Sequence, residues 1–226
     1  MRPGRLTLRS IFMRFKVPLI AATLCLLSAS ASAKDLGVAP LTGPDLEDVT
    51  SYYDNGAQLL KGLEYRDEYG NFRILAFGAN KQGPKLEPND YVTLHAYGFI
   101  QDHGGYDTRW EIKDNNGSEL CGLRLLTPLV DVIDAGDGNA LVTVPYWTAC
   151  DGLDATVVKL IMVYKDKKYA IRGSLPNQAS DEITRTPGDS FKTLPDVVQK
   201  TALAYYARVE AAAKKAASWT DPSAGN

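Results

Sequence analysis

The chain of 226 residues has few of the side chains that most often carry catalysis or bind metals. It contains two histidines and three cysteines, and it has no G-x-S-x-G, H-E-x-x-H or C-x-x-C motif. The glycine-rich stretch at residues 136–141 fails the dinucleotide-binding pattern, because Leu141 stands where the last glycine belongs. These absences argue against a serine hydrolase of the nucleophile-elbow type, a histidine-rich zinc enzyme, a dithiol redox protein and a dinucleotide-binding enzyme.

The first 33 residues have the composition of a secretory signal peptide. A basic leader without acidic residues precedes an apolar run at residues 17–27, and Ala31-Ser32-Ala33 then forms an A-x-A cleavage pattern. The apolar run is shorter than the about 20 residues that a transmembrane helix needs. We therefore predict a signal peptide over residues 1–33, cleavage after Ala33, and a periplasmic or secreted protein without a membrane span.

Removing the leader changes both the length and the charge. Taking 33 from 226 residues leaves 193, and taking the five leader cations from 25 leaves 20 basic against 27 acidic residues, a net charge of −7. Such a length suits one domain of roughly 100–200 residues. The acidic balance argues against nucleic acid and anionic lipid as partners.

Two cysteines, Cys121 and Cys150, remain after the predicted cleavage. In an oxidising compartment a lone pair of cysteines favours a disulfide. The alternatives are two buried free thiols or a redox pair, and the missing C-x-x-C motif argues against the latter.

Short runs of alternating apolar and polar residues, separated by polar turns, dominate residues 65–173 and are typical of antiparallel strands. Residues 157–164 are apolar on nearly both faces, which predicts a central strand covered on both sides. The predicted strands are residues 71–77, 91–100, 108–113, 129–133, 141–147, 156–164 and 168–172.

Apolar residues recur at helical spacing after Leu194-Pro195-Asp196, and proline suits a first helical turn. This segment predicts a C-terminal helix packed on the sheet. We predict a loop over residues 174–192, one short helix at most within residues 34–54, and a disordered tail over residues 220–226. The fold class is then a single α+β domain over residues 34–219, an antiparallel meander of about six to eight strands with one disulfide.

Asp102 and His103, followed by two glycines, are the weak catalytic candidates. A histidine beside a carboxylate on a flexible loop is one arrangement of a general base. The same four residues also form ordinary polar turns, and that alternative is favoured.

Asp134, Asp137 and Asn139 are the weak metal candidates, with calcium as the cofactor they would bind. Calcium takes several oxygen ligands from a glycine-bent loop. These residues stand at positions 1, 4 and 6 rather than at the alternating 1, 3 and 5, and no glutamate follows as a bidentate ligand. A hairpin turn is the favoured alternative, so no cofactor is predicted firmly.

Tyr91, Tyr97 and Phe99 are the weak ligand-binding candidates, because they lie on the polar-aromatic face of the predicted strand at residues 91–100. Aromatic rings on such a face could stack on sugar rings. Aromatic residues also favour strands for packing reasons alone, which is the competing explanation. Paired carboxylates of the glycosidase kind cannot be chosen among 27 acidic residues.

A resemblance adds to these observations. The segment Tyr146-Trp147-Thr148-Ala149-Cys150, then Lys159-Leu160-Ile161-Met162 and a strand at residues 168–173, resembles a family of small exported bacterial proteins labelled surface polysaccharide biosynthesis proteins. Members similarly carry an upstream cysteine, here Cys121, and a segment like residues 191–195 before a terminal helix. The resemblance covers residues 121–206.

The family's acidic turn reads D-L-D-x-D-G-x-A-E and looks like a cation-binding loop. Here Ile133 and Ala135 occupy its first two acidic positions and Leu141 replaces the glutamate, while Asp137 remains. The resemblance implies an association with envelope polysaccharide and no catalytic step. We therefore expect a periplasmic protein that acts by binding envelope polysaccharide or an envelope protein. The alternatives are an enzyme acting on envelope glycans and a secreted inhibitor or immunity-type protein.

Overall fold

The antiparallel strands are divided between two sheets. The computed structural model describes residues 34–51, 57–67, 69–79, 89–116, 120–150, 154–178 and 182–220, and these residues contain eleven strands. The first sheet has the order β1 (Ala39–Pro40), β2 (Gln58–Asp67), β3 (Gly70–Ala79), β4 (Thr93–Asp102) and β5 (Gly105–Asn115). The second has the order β11 (Thr184–Pro187), β10 (Lys167–Leu175), β9 (Thr156–Tyr164), β8 (Ala140–Cys150) and β6 (Cys121–Leu125), with β7 (Asp131–Asp134) also paired to β8.

Two helices cover the outer faces of the sheets. Helix α1 (Gly43–Ser51) places Val49 against Leu75 and Phe99 of the first sheet. Helix α2 (Asp196–Ala216) places a stripe of small and apolar residues on the second sheet. The inner faces of the two sheets pack on each other, so the layers run helix, sheet, sheet, helix. The predicted α+β class with a C-terminal covering helix is confirmed.

Strand β9 shows why its sequence is apolar on both faces. Leu160 and Met162 are fully buried beneath α2. The intervening Ile161 and Val163 face the first sheet. Because side chains alternate along a strand, only a strand with cover on both sides needs such a sequence. The prediction of a central strand is confirmed.

The predicted disulfide is present. Cys121 and Cys150 face each other across β6 and β8, and their sulfurs are bonded. The bridge joins the beginning of β6 to the end of its neighbouring strand β8. Since the two residues are direct cross-strand partners, the bond fixes the register of β6.

The structure has more strands than the sequence predicted. Strands β1, β2 and β6 are not among the predicted strands, and β11 lies in the predicted loop at residues 174–192, which is a correction. β11 is short and fully exposed, and it contains Pro187, which cannot donate to a ladder. An edge strand tolerates proline. Because all four residues are exposed, the segment has no apolar alternation that would identify it as a strand.

Some predictions fall outside the described residues, namely the signal peptide over residues 1–33 and the tail beyond Thr220. The described residues belong to one compact unit. Among them, no helix has the length and apolar character needed to cross a membrane.

Candidate functional site

A groove of about 520 Å³ opens between the two sheets at one end of the sandwich. We call it the inter-sheet groove. Its floor is aromatic and includes Tyr65, Phe72 and Trp110. Its polar rim includes Asp67, Tyr69, Arg109, Asn139, Lys165 and Asp166. Aromatic walls with a few polar groups are the usual lining of a small-molecule site.

The floor is built by a cross-strand pair. Tyr65 of β2 and Phe72 of β3 are direct partners in the hairpin, with ring centroids 5.1 Å apart and planes inclined by 16°. Such pairs are the unit of sheet stabilisation and hold both rings in place. Beside them, Trp110 lies across Gly98, whose missing side chain makes room for the indole. The packing of these three rings therefore involves no ligand.

A β-bulge explains how two consecutive residues, Arg109 and Trp110, line the same groove. Gly98 pairs with Trp110, and the next residue of β4, Phe99, pairs with Thr108, so Arg109 is the extra residue. In a regular strand Arg109 and Trp110 would point to opposite faces. A bulge re-aims the side chain of the extra residue.

Arg109 connects the two sheets at the rim. Its Nε and Nη2 donate to Asp166 Oδ2 over 3.1 and 2.5 Å. Asp166 lies in the two-residue turn between β9 and β10, where Lys165 and Asp166 have φ of 48° and 58°, as type I′ turns require. Lys168 Nζ makes a second bond between the sheets, to the Glu111 carbonyl at 3.0 Å. These contacts hold the groove walls together.

The phenol of Tyr65 stays neutral in this environment. Burial raises its pKa well above the ordinary range, and the nearby carboxylates Asp67 and Asp166 raise it further. Asp67 lies in the first sheet and Asp166 in a turn of the second sheet, and both raise the pKa of the Tyr65 phenol. At the mouth, Tyr69 is 69% exposed, and its backbone N–H donates to Asp67 Oδ1 at 2.7 Å. Tyr69 therefore presents an aromatic side chain at the polar rim.

Of the three predicted ligand-binding aromatics, Tyr97 and Phe99 share a face of β4 as expected, whereas Tyr91 does not, which corrects that part of the expectation. Phe99 is 0% exposed beneath α1, with Tyr97 stacked on it at 6.0 Å. Tyr91 is 3% exposed and lies before β4, where it bridges to Leu123 of the second sheet. The reason is that β4 begins only at Thr93, so Tyr91 does not follow its alternation.

Tyr91 instead borders a second cleft, of about 750 Å³, with Arg124 and Trp147. Arg124 is bonded to Asp90 through both carboxylate oxygens and lies 5.0 Å above the Trp147 ring. The N–H groups of the Arg124 guanidinium therefore bind Asp90, and one of its faces packs on Trp147. The inter-sheet groove offers a wider range of recognition groups, and we take it as the candidate site.

Asp102 and His103 lie at the tip of the β4–β5 hairpin. Their side chains are 64% and 95% exposed, and His103 Nδ1 contacts Asp102 Oδ1. His103 and Gly104 have φ of 41° and 86°, so they form the tight two-residue turn. The residues that line the groove do not include this pair. The geometry agrees with the polar-turn alternative.

The predicted metal ligands Asp134 and Asp137 accept hydrogen bonds from their own turn and from neighbouring segments. Asp134 Oδ1 accepts from the N–H groups of Gly136 and Gly138 at 2.7 and 3.0 Å. Asp137 accepts from Tyr164 Oη at 2.5 Å and from the Asn139 N–H at 3.0 Å. Burial acts to raise the pKa of Asp137, but these two donors hold it below its ordinary value.

Within the described ranges, no three His, Cys, Asp or Glu side chains are grouped to hold a metal ion. The N–H groups of Gly136, Gly138 and Asn139 in the turn supply part of the hydrogen bonds that Asp134 and Asp137 accept, and Lys34 and Tyr164 supply others. Of the three candidates, only Asn139 lines the inter-sheet groove. Comparison of the chain with family models, curated proteins and solved structures gives no match.

Proposed function

We propose that this chain is an exported envelope protein that binds a saccharide in the inter-sheet groove and does not transform it. The observation that carries the proposal is the groove itself, with an aromatic floor inside a rim of carboxylate, amide, ammonium and guanidinium groups. Export and the link to envelope polysaccharide come from the leader sequence and the family resemblance. They supply the context in which such a ligand would be met.

A sugar ring matches both parts of this lining. Its C–H faces are apolar and fit against flat rings such as Tyr69, while its hydroxyl groups donate to carboxylates and accept from amide and guanidinium N–H groups. The Asn139 amide, which also hydrogen-bonds Asp137, has both a donor and an acceptor, and Lys165 donates. Because the aromatic rings of the floor are already held by packing, ordering them on binding costs little side-chain entropy.

The carboxylates favour binding over hydrolysis. A glycosidase needs one carboxyl group as acid and a second as base or nucleophile. Here Asp166 is engaged by Arg109 at the rim, and Asp67 accepts the N–H of Tyr69 within its own turn. Each carboxylate thus has a structural partner. The enzyme alternative involved Asp102, His103 and unidentified carboxylates, and an enzyme acting in this groove would use Asp67 and Asp166.

The test uses the mature protein and an array of oligosaccharides from bacterial capsule, lipopolysaccharide core and peptidoglycan, followed by calorimetry on any hit. Tyr69→Ala removes an exposed ring and should weaken binding about tenfold. The matched control is Leu203→Ala on α2, which removes a 45%-exposed apolar side chain away from the groove and should leave the Kd unchanged.

Binding that survives Tyr69→Ala and Asn139→Ala alike would refute the groove as the site. Shortened oligosaccharides in the reaction mixture, abolished by Asp67→Asn, would replace the binding role by the enzyme. The absence of any glycan hit together with a co-purifying envelope enzyme would favour the inhibitor role.

A further inference from the structure

The acidic turn at Asp134 accepts a hydrogen bond from a residue one hundred positions earlier. The backbone nitrogen of Lys34 donates to Asp134 Oδ2 at 2.7 Å. The other oxygen, Oδ1, is occupied by the N–H groups of Gly136 and Gly138. The turn thus fixes the carboxylate and directs one oxygen to the beginning of the domain.

The segment after Lys34 is held in place by the core. Leu36 is 4% exposed and packs between the two sheets, and its carbonyl accepts the Arg66 N–H at 2.9 Å. Only Asp35 separates this anchor from Lys34. The nitrogen of Lys34 is therefore brought to Asp134 by packing that does not depend on the bond itself.

Cleavage after Ala33 changes the chemistry of this nitrogen. Before cleavage it is a neutral peptide N–H with one hydrogen to donate. Hydrolysis of the Ala33–Lys34 bond adds one water, giving a carboxylate on the released leader and an α-ammonium group on Lys34. That group carries a positive charge and three donors, and bonds between charged partners are shorter and roughly twice as strong as neutral ones.

We propose that the Asp134 turn is the docking site of the mature α-ammonium group, so that leader removal converts a neutral hydrogen bond into an ion pair. The turn would then hold a cation that belongs to the chain itself. The pKa of Asp134 already lies below its ordinary value, first because of the Lys34 N–H. Asp137 cannot substitute for Asp134, since its oxygens accept from Tyr164 and Asn139.

The first measurement is the intact mass of the protein purified from the periplasm of its host. A mass corresponding to residues 34–226 is required, and a mature chain that begins elsewhere overturns the proposal. The second measurement is the pKa of the α-amino group, obtained from its rate of acylation as a function of pH. We expect this pKa to lie about half a unit above the ordinary 7.7–8.0.

Asp134→Asn is the informative variant, because the asparagine carbonyl can still accept from Gly136 and Gly138 while the ammonium loses its charged partner. The α-amino pKa should return to its ordinary value. Asp137→Asn is the matched control in the same turn, and it should leave the raised pKa in place. An ordinary pKa in the wild type, or equal effects of the two variants, overturns the proposal.

Stability provides a second readout. A chain that retains Ala33 keeps the N–H donor of Lys34 but moves the charge one residue away. Its Tm should fall by about 1–4 °C relative to the mature chain. The difference should vanish in the Asp134→Asn background and persist in the Asp137→Asn background. A Tm difference that is the same in all three backgrounds would show that the ammonium does not pair with Asp134.

Discussion

Replacing Gly98 by alanine is expected to displace Trp110 from the floor of the inter-sheet groove. Gly98 and Trp110 are partners at the bulge between β4 and β5. A Cβ atom on Gly98 would come within 2.1 Å of Trp110 Cε2 and 2.2 Å of Nε1. The indole is a rigid bicycle without a flexible end, so it must move as a whole.

The size of the effect lies between two limits. Overpacking a core that can adjust costs about 1–3 kcal/mol. Complete ejection of the indole would cost as much as its removal, about 3–5 kcal/mol. We therefore expect Gly98→Ala to lower the free energy of unfolding by about 2–4 kcal/mol. The same displacement should remove saccharide binding, because the ring would occupy the groove.

Urea unfolding followed by tryptophan fluorescence measures the loss. Gly105→Ala is the control in the same hairpin, since its Cβ would meet only the Asp102 carbonyl oxygen at 3.8 Å, and its effect should stay within about 1 kcal/mol. In a Trp110→Ala background, Gly98→Ala should cost less than about 1 kcal/mol. If Gly98→Ala proves as stable as Gly105→Ala, Trp110 does not lie across Gly98 and the structure of the floor is wrong.

The parts of the fold that the sequence predicts well are those decided locally. Strand β9 has the predicted bounds because cover on both sides demands a continuous apolar run that polar turns delimit. Helix α2 begins at Asp196, directly after the proline expected at a helix start. The Cys121–Cys150 bridge follows from there being two cysteines after the predicted signal peptide of a chain predicted to be exported.

The inter-sheet groove could not be predicted in the same way, because its residues meet only through the packing of one sheet on the other. The turn between β2 and β3 would have allowed Tyr65 and Phe72 to be predicted as cross-strand partners. No feature of the neighbouring sequence, however, predicts that Asp166 lies opposite them. The bulge at Arg109 contains no glycine and leaves no mark in the sequence. The alternation of apolar and polar residues predicts on which face of a strand a residue lies. It does not predict which residues of the other sheet will pack against that face.

Two further predictions concern stability away from the groove. A Cys121→Ser/Cys150→Ser variant opens a loop with a sequence separation of 29 residues. Its free energy of unfolding should fall by about 3–4 kcal/mol in urea titrations, and adding reductant to the wild type should give the same loss. Glu210 of α2 is buried and binds Arg185 of β11 and Lys214, and Arg185 in particular holds its pKa below the ordinary value. A carboxylate with a lowered folded-state pKa adds stability above its unfolded pKa of about 4.3 and loses it as the pH falls through the folded value. Glu210→Gln should therefore cost about 1–3 kcal/mol at pH 7, and the gap to the wild type should narrow toward pH 3. Suppose instead that the difference in free energy of unfolding between the wild type and Glu210→Gln is the same at pH 7 and pH 3. The charge of Glu210 would then add nothing, and the ion pair with Arg185 would not contribute to stability.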